Sequence, residues 1–255
     1  MKVLETGEEF VMNDGAFPAA SCFKLPLSLC VYEMAAADEL DLDAEVAYSK
    51  ADWEAGTGVL QATKPGTRFT MRRLVELAVV ESDNIAANML LRTVGRPRLI
   101  EFYKEASAEV IPASENITSP SDMGLFASRL FTFAKEQPEL GKELLARFLG
   151  TKFKDRIPAG VPDTVPVANK IGTWPGTAND VGLVAADKVT YIIAVLSREV
   201  GDTDRAAKVI TGISQAVYGM IAPASSERRE AGVGRQILEE LGLAVPDRTG
   251  TDRGI

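Results

Sequence analysis

Apolar positions at residues 19–37 recur every three or four places, with Leu25, Leu29, Tyr32 and Ala36 on one stripe, which predicts a helix with one buried face. Pro26 fits that helix only in or near its first turn. Ahead of it, Val3-Leu4, then Thr6-Gly7, then Phe10-Val11-Met12 before Asn13-Asp14-Gly15, a strong reversal signal, read as strand and turn, so residues 1–18 are expected to form a short hairpin. Residues 44–66 have a poorer pattern, with loops marked by Gly56, Gly58 and Pro65-Gly66. Thr70 then reads as the N-cap of a helix over 71–78, and helical signals continue through 84–92, 97–106, 120–133 and 138–149. Beyond Pro158-Ala159-Gly160 the pattern changes to short Val- and Ile-rich runs at 165–171, 180–186 and 189–197, read as neighbouring antiparallel strands. An amphipathic helix over 203–220 follows, then a charged segment over 225–255 with one helical piece at 236–241.

Strands, a long α block, strands and a helix imply a sheet opened by a helical insertion and completed by later chain. The expected class is therefore α/β (α+β), an antiparallel sheet flanked by helices with an all-α subdomain inserted. One domain over 1–255 is expected, with an α/β part from about 1–20 plus 160–255 and an all-α part over 21–159. A cleft between the two parts is the natural place for a ligand.

Composition narrows the chemistry. With 255 residues, 46% hydrophobic and 25% charged, the chain can build a sizeable core. It has no histidine, which excludes a Ser-His-Asp triad, an imidazole base and histidine-containing zinc sites. Two cysteines cannot complete an all-cysteine zinc site, and no metal or organic cofactor is implied. Cys22 and Cys30 would lie about 12 Å apart along one helix, beyond disulfide reach, and are expected to be buried thiols. A net charge of -8 argues against nucleic acid and anionic membrane as partners. No apolar run reaches about 18 residues, and Met1 does not lead into a basic-then-apolar leader, so no export signal or membrane segment is expected in the chain as written.

Without histidine, a serine nucleophile needs another base. Ser21-Cys22-Phe23-Lys24 lies where the first strands meet the first helix, and its spacing lets the Lys24 ammonium reach the Ser21 hydroxyl. A lysine desolvated beside other cations can lose its proton near neutral pH. Ser82-Asp83-Asn84 presents a hydroxyl that can relay a proton and a carboxamide that can grip an amide. Lys170-Ile171-Gly172-Thr173 ends a strand, where Gly172 lets a substrate approach the backbone and Lys170 offers a cation to a carboxylate.

These three motifs, S-x-x-K, S-D-N and K-x-G in that order, resemble the serine β-lactamase and penicillin-binding-protein superfamily, class A β-lactamases above all. Phe17-Pro18-Ala19-Ala20-Ser21, the lead-in from Pro65-Gly66-Thr67, Ala87-Asn88-Met89-Leu90-Leu91 and Asn179-Asp180-Val181-Gly182 extend the resemblance over roughly residues 3–220. It implies a serine hydrolase that acts through an acyl-enzyme on a small β-lactam, acyl-peptide or ester, as a monomer. By resemblance, Ser21 is the acylated nucleophile, Lys24 its base and Ser82 the proton shuttle, Asn84 binds the acyl amide, and Lys170 is the carboxylate-site cation. The Ser21 and Thr173 N–H groups would form the oxyanion hole. D-alanyl-D-alanine peptidase, esterase and a penicillin-binding domain that deacylates poorly are the alternatives. Family members act in the periplasm or outside the cell, whereas this chain shows no leader, so location stays open.

The resemblance also has gaps. Ile171 replaces the usual hydroxyl residue after the lysine, removing one hydrogen bond to a substrate carboxylate. The long loop that carries the deacylating glutamate in class A enzymes is deleted, since residues 108–116 run directly into Ile117-Thr118-Ser119-Pro120. Glu109 and Glu115 are the nearest carboxylates, and neither has E-x-x-L-N surroundings, so acylation is better supported than turnover. Residues 225–255, Arg235 to Leu243 above all, are expected to cover the surface that an N-terminal helix covers in relatives. Trp53 and Trp174 are read as packing or loop anchors.

Overall fold

The computed structural model describes residues 1–186 and 189–224, together with 238, 239 and 242. Strands β1 (Lys2–Val3) and β2 (Phe17–Pro18) do not pair with each other. The chain reverses at Gly7, ahead of the Asn13-Asp14-Gly15 signal: Val3 N donates to Glu8 O and Gly7 N to Val3 O, each at 2.9 Å, and Lys2 bridges Glu9. Gly7, at φ +73°, supplies the left-handed residue of that turn, whereas Asn13 at φ 54° makes only a local kink.

A 3-10 turn, Ala20–Phe23, leads into α1 (Lys24–Ala36). All nine residues from Lys24 to Tyr32 are buried, so α1 is a central helix and not the one-faced helix its spacing predicted. Around it pack α2 (Met71–Val80), α3 (Asn84–Val94), α4 (Arg96–Glu105), α5 (Pro120–Glu136) and α6 (Pro138–Leu149). Thr70 caps α2, its hydroxyl accepting from Arg73 N at 3.1 Å, and Ser119 caps α5, accepting from Asp122 N at 3.0 Å. The block is not wholly helical, because β3 (Glu45–Ala47) pairs with β4 (Arg68–Thr70), and β5 (Ile117–Thr118) pairs with β2.

The main sheet is antiparallel and has the order β1-β8-β7-β6, with β6 (Val167–Trp174), β7 (Thr177–Ala185) and β8 (Thr190–Val195). β6 runs three residues further than its apolar run, since Trp174 pairs with Thr177 across a two-residue Pro175-Gly176 turn with Gly176 at φ +75°. Along β7, Val181, Leu183 and Ala185 join the helical core, while Ala178 and Val184 face the other way, against α7 (Thr203–Ala224). Burying a side chain such as Leu183 or Ile192 stabilises the fold by about 1.5–3 kcal/mol.

The expected surface-covering segment at 225–255 lies almost wholly outside the described residues. Of its described residues, Leu238 is buried in the helical core. Among the described residues no helix is long and apolar enough to cross a membrane.

Candidate active site

Ser21 sits on the 3-10 turn between β2 and α1. The residue before it, Ala20, has φ 47°, a left-handed conformation that costs a non-glycine residue on the order of 1–3 kcal/mol. Neighbouring elements hold the turn there. Ala19 N donates to Asn116 O at 2.9 Å, and Asn116 Nδ2 donates to Ala20 O at 3.0 Å. On the other side β6 comes so close that a Cβ on Gly172 would lie 2.7 Å from Ala19 O and 3.1 Å from Cys22 N. Gly172 is therefore required first by the Ser21 turn, a reason the sequence did not disclose.

Lys24 is buried and does not bond to Ser21 as its spacing predicted. Its Nζ donates to Ser82 O at 2.6 Å and Asn84 Oδ1 at 2.7 Å, with Ser82 Oγ at 3.4 Å. The flexible stem thus delivers the amine to two carbonyl oxygens, better acceptors than a hydroxyl. Among the described residues the Ser21 hydroxyl, partly exposed, has no hydrogen-bond partner. Burial, and then the charge of Lys170, hold Lys24 well below the ordinary lysine pKa, against the opposing pull of Asp83 and Glu54.

Lys170 is fully buried, and its Nζ donates to Ser82 Oγ and to Ile171 O, each at 2.9 Å. Burial brings its pKa down to about 8. Its ammonium thus uses two of its three donors on Ser82 and Ile171. Ser82 itself is a strained joint, at φ 53°, whose carbonyl takes both Lys24 Nζ and, at 2.8 Å, Thr57 Oγ1. Next along, Asp83 caps α3 by accepting from Ala86 N at 2.9 Å and also accepts from Val59 N at 2.6 Å and Leu60 N at 2.9 Å. Asn84, Lys24, Ser82 and Lys170 therefore form one hydrogen-bonded row, with the Ser21 turn and Gly172 packed beside it.

The sequence reading missed Arg156 and Asn116. Arg156 is buried, and its guanidinium donates to Gly172 O at 3.0 Å, Asn179 O at 2.6 Å and the exposed Thr173 hydroxyl at 2.5 Å. It fixes the end of β6 and adds positive charge beside Thr173. Ile171 is buried and brings no hydroxyl to that end. Trp53 and Trp174 are 56% and 63% exposed, so of the packing and loop roles expected for them neither packs in the core. Glu109 and Glu115 are exposed, and neither side chain bonds to the row. The two cysteines are free and buried, as expected, and burial pushes both thiols up to about 12. An apolar hollow of about 590 Å³ lies between β8, α7 and the Phe10–Asn13 stretch, and none of the site residues lines it.

Comparison with known proteins places the chain. Residues 1–221 match the β-lactamase enzyme family. A β-lactamase of Bacillus licheniformis is 27% identical over 175 residues, which are 62% of this chain and 57% of that protein. A second, from Streptomyces albus G, is 28% identical over 193 residues, 67% of this chain and 61% of that protein. The chain thus spans about three fifths of the length of these relatives. In structure it resembles a β-lactamase from Sphaerobacter thermophilus with TM-score 0.75 and 28% identity, over 85% of this chain and 89% of that one.

Proposed function

The chain belongs to the β-lactamase enzyme family, and from that premise we propose that it is a serine hydrolase whose Ser21 forms an acyl-enzyme with β-lactam amides. The observation that carries this reading is the row Asn84–Lys24–Ser82–Lys170 beneath the Ser21 turn, with its central amine held well below the usual lysine range.

In this reading neutral Lys24 takes the Ser21 proton as Oγ attacks the lactam carbonyl. The charge that develops on the carbonyl oxygen is met by the Ser21 and Thr173 N–H groups, on two elements held in register by the close approach at Gly172. Ser82, its hydroxyl held by Lys170 and within 3.4 Å of Lys24, passes the proton to the leaving nitrogen. Asn84 binds the acyl amide, while Lys170 and Thr173 favour a substrate carboxylate, with Arg156 adding charge behind Thr173.

A slow-releasing acyl-enzyme, as in a penicillin-binding domain or peptidase, is favoured by one specific observation: the connection between α4 and α5 brings no carboxylate to the row. A substrate survey tests the proposal. Wild-type protein should open penicillin G, and Ser21→Ala should lose that activity by at least about 1000-fold. Equal rates for the two proteins would refute the assignment of Ser21. Activity confined to aryl esters would replace the β-lactam by a simple ester as the substrate.

A further inference from the structure

If Ser21 is acylated as proposed above, the ester must still be released, and that needs a base. The loop over 52–60, which the sequence marks only by its glycines, is tied down along its length. Arg92 grips both Asp52 oxygens at 2.7 and 3.0 Å, and Asn88 Nδ2 donates to Asp52 O at 3.2 Å. Asn84 Nδ2 donates to Ala55 O at 2.9 Å, and Asn84 N to Thr57 O at 3.1 Å. Gly56 and Gly58 permit this closeness, since a Cβ would lie 2.9 Å from Asn84 Nδ2 at the first and 2.2 Å from Asp83 Oδ2 at the second.

Glu54 rides on this fixed loop. Its Oε2 accepts from Asn88 Nδ2 at 2.8 Å, one helical turn along α3 from the Asn84 that holds Lys24. Among the described residues Oε1 has no hydrogen-bond partner and the carboxylate forms no ion pair. Asp83 and Glu54 are the carboxylates whose charge bears most on Lys24. Asp83 is consumed by three backbone N–H groups, so Glu54 alone of the two keeps an oxygen free for chemistry.

We propose that Glu54, exposed on the loop over 52–60, is the catalytic carboxylate that activates water to hydrolyse the Ser21 acyl-enzyme. Glu54 accepts a proton from water as the water oxygen bonds to the acyl carbon. The bond from that carbon to Ser21 Oγ then breaks, and Oγ takes the proton back, directly or through Lys24. Ester and water become free acid and serine, with no other reactant.

Glu54→Gln tests this, because its amide oxygen can still accept from Asn88 and so preserve the loop. Intact-protein mass spectrometry would follow adduct formation and decay with penicillin G and with a phenylacetyl aryl ester, in wild type, Glu54→Gln and Ser21→Ala. Glu54→Gln should lengthen the adduct lifetime by at least about tenfold more than it slows adduct formation, and formate should shorten the lifetime in Glu54→Ala. A smaller selective effect, a wild-type adduct that persists as long as the variant's, or absence of formate rescue would overturn the proposal. Failure of the underlying reading looks different, as absence of a Ser21-dependent adduct in every protein with both probes, and it would remove this inference as well.

Discussion

Replacing Gly172 with alanine would put a methyl carbon 2.7 Å from the Ala19 carbonyl oxygen and 3.1 Å from both Ala20 Cβ and the Cys22 nitrogen. The first contact falls short of ordinary packing at 3.4 Å by about 0.7 Å, and its partner is backbone, which has no rotamer to yield with. Nor is the Ser21 turn free to retreat, since Asn116 holds it by two hydrogen bonds at 2.9 and 3.0 Å. Relief must come from β6 and the turn moving apart by several tenths of an ångström, which spoils the pairing of the Ser21 and Thr173 N–H groups. Loss of one oxyanion donor costs about 100-fold, or ~2.7 kcal/mol, and overpacking costs stability by about 1–3 kcal/mol. Acylation would be timed by intact-protein mass, and unfolding followed by calorimetry, where each kcal/mol lowers Tm by about 2–4 °C at this size. Gly124→Ala is the control, because nothing lies within 4 Å of that added methyl and α5 should gain about 0.5–1 kcal/mol. Acylation of Gly172→Ala within about threefold of wild type would refute the reasoning that the close approach assembles the site.

Acylation should follow a bell-shaped pH profile. The rate should rise with pH as Lys24 loses its proton, well below the ordinary lysine range, and capture of an anionic substrate should weaken above about pH 8 as Lys170 loses its charge, with a neutral ester sparing the upper limb. The sign for stability is also set: Lys170 binds a proton more tightly unfolded, at an ordinary 10.5, than folded, at about 8, so its contribution makes stability rise with pH between those values, as denaturant midpoints can check. Asn116→Ala removes an exposed side chain that bonds Ala20 O, and should lower stability by about 0.5–1.5 kcal/mol in urea unfolding while slowing acylation more than penicillin binding. Both thiols should be inert to a disulfide reagent in the native protein and react together only after denaturation; fast labelling of the folded protein would contradict their burial.

Much of this site can be read directly from the chain because each motif lies on or beside a regular element. Lys24, Ser82, Asn84 and Lys170 are joined in space by bonds that span 58 to 88 residues of sequence, yet the order of their motifs foretold the group. Arg156 and Asn116 escaped notice because their role is to bond backbone carbonyls 23 and 96 residues away, which leaves no local pattern. Glu54 was hidden for the same reason, behind two glycines that read as loop markers but exist to let the loop touch Asp83 and Asn84. Helix start and stop signals matched the boundaries of α6, whereas periodicity misjudged α1, whose stripe at Leu25, Leu29 and Tyr32 is one part of a surface buried on every side. The first hairpin forms, but it turns at Gly7 with Lys2 bridging Glu9, and the stronger-looking signal at Asn13-Asp14-Gly15 makes only a local kink.

The most direct test of the central claim is to locate the acyl group itself. Protein mixed with penicillin G would be quenched in acid, digested and mapped by tandem mass spectrometry. The account predicts the penicilloyl mass on the peptide containing Ser21, and its absence from Lys24→Ala quenched at the same time. Modification of another residue, or equal labelling of Lys24→Ala, would contradict it.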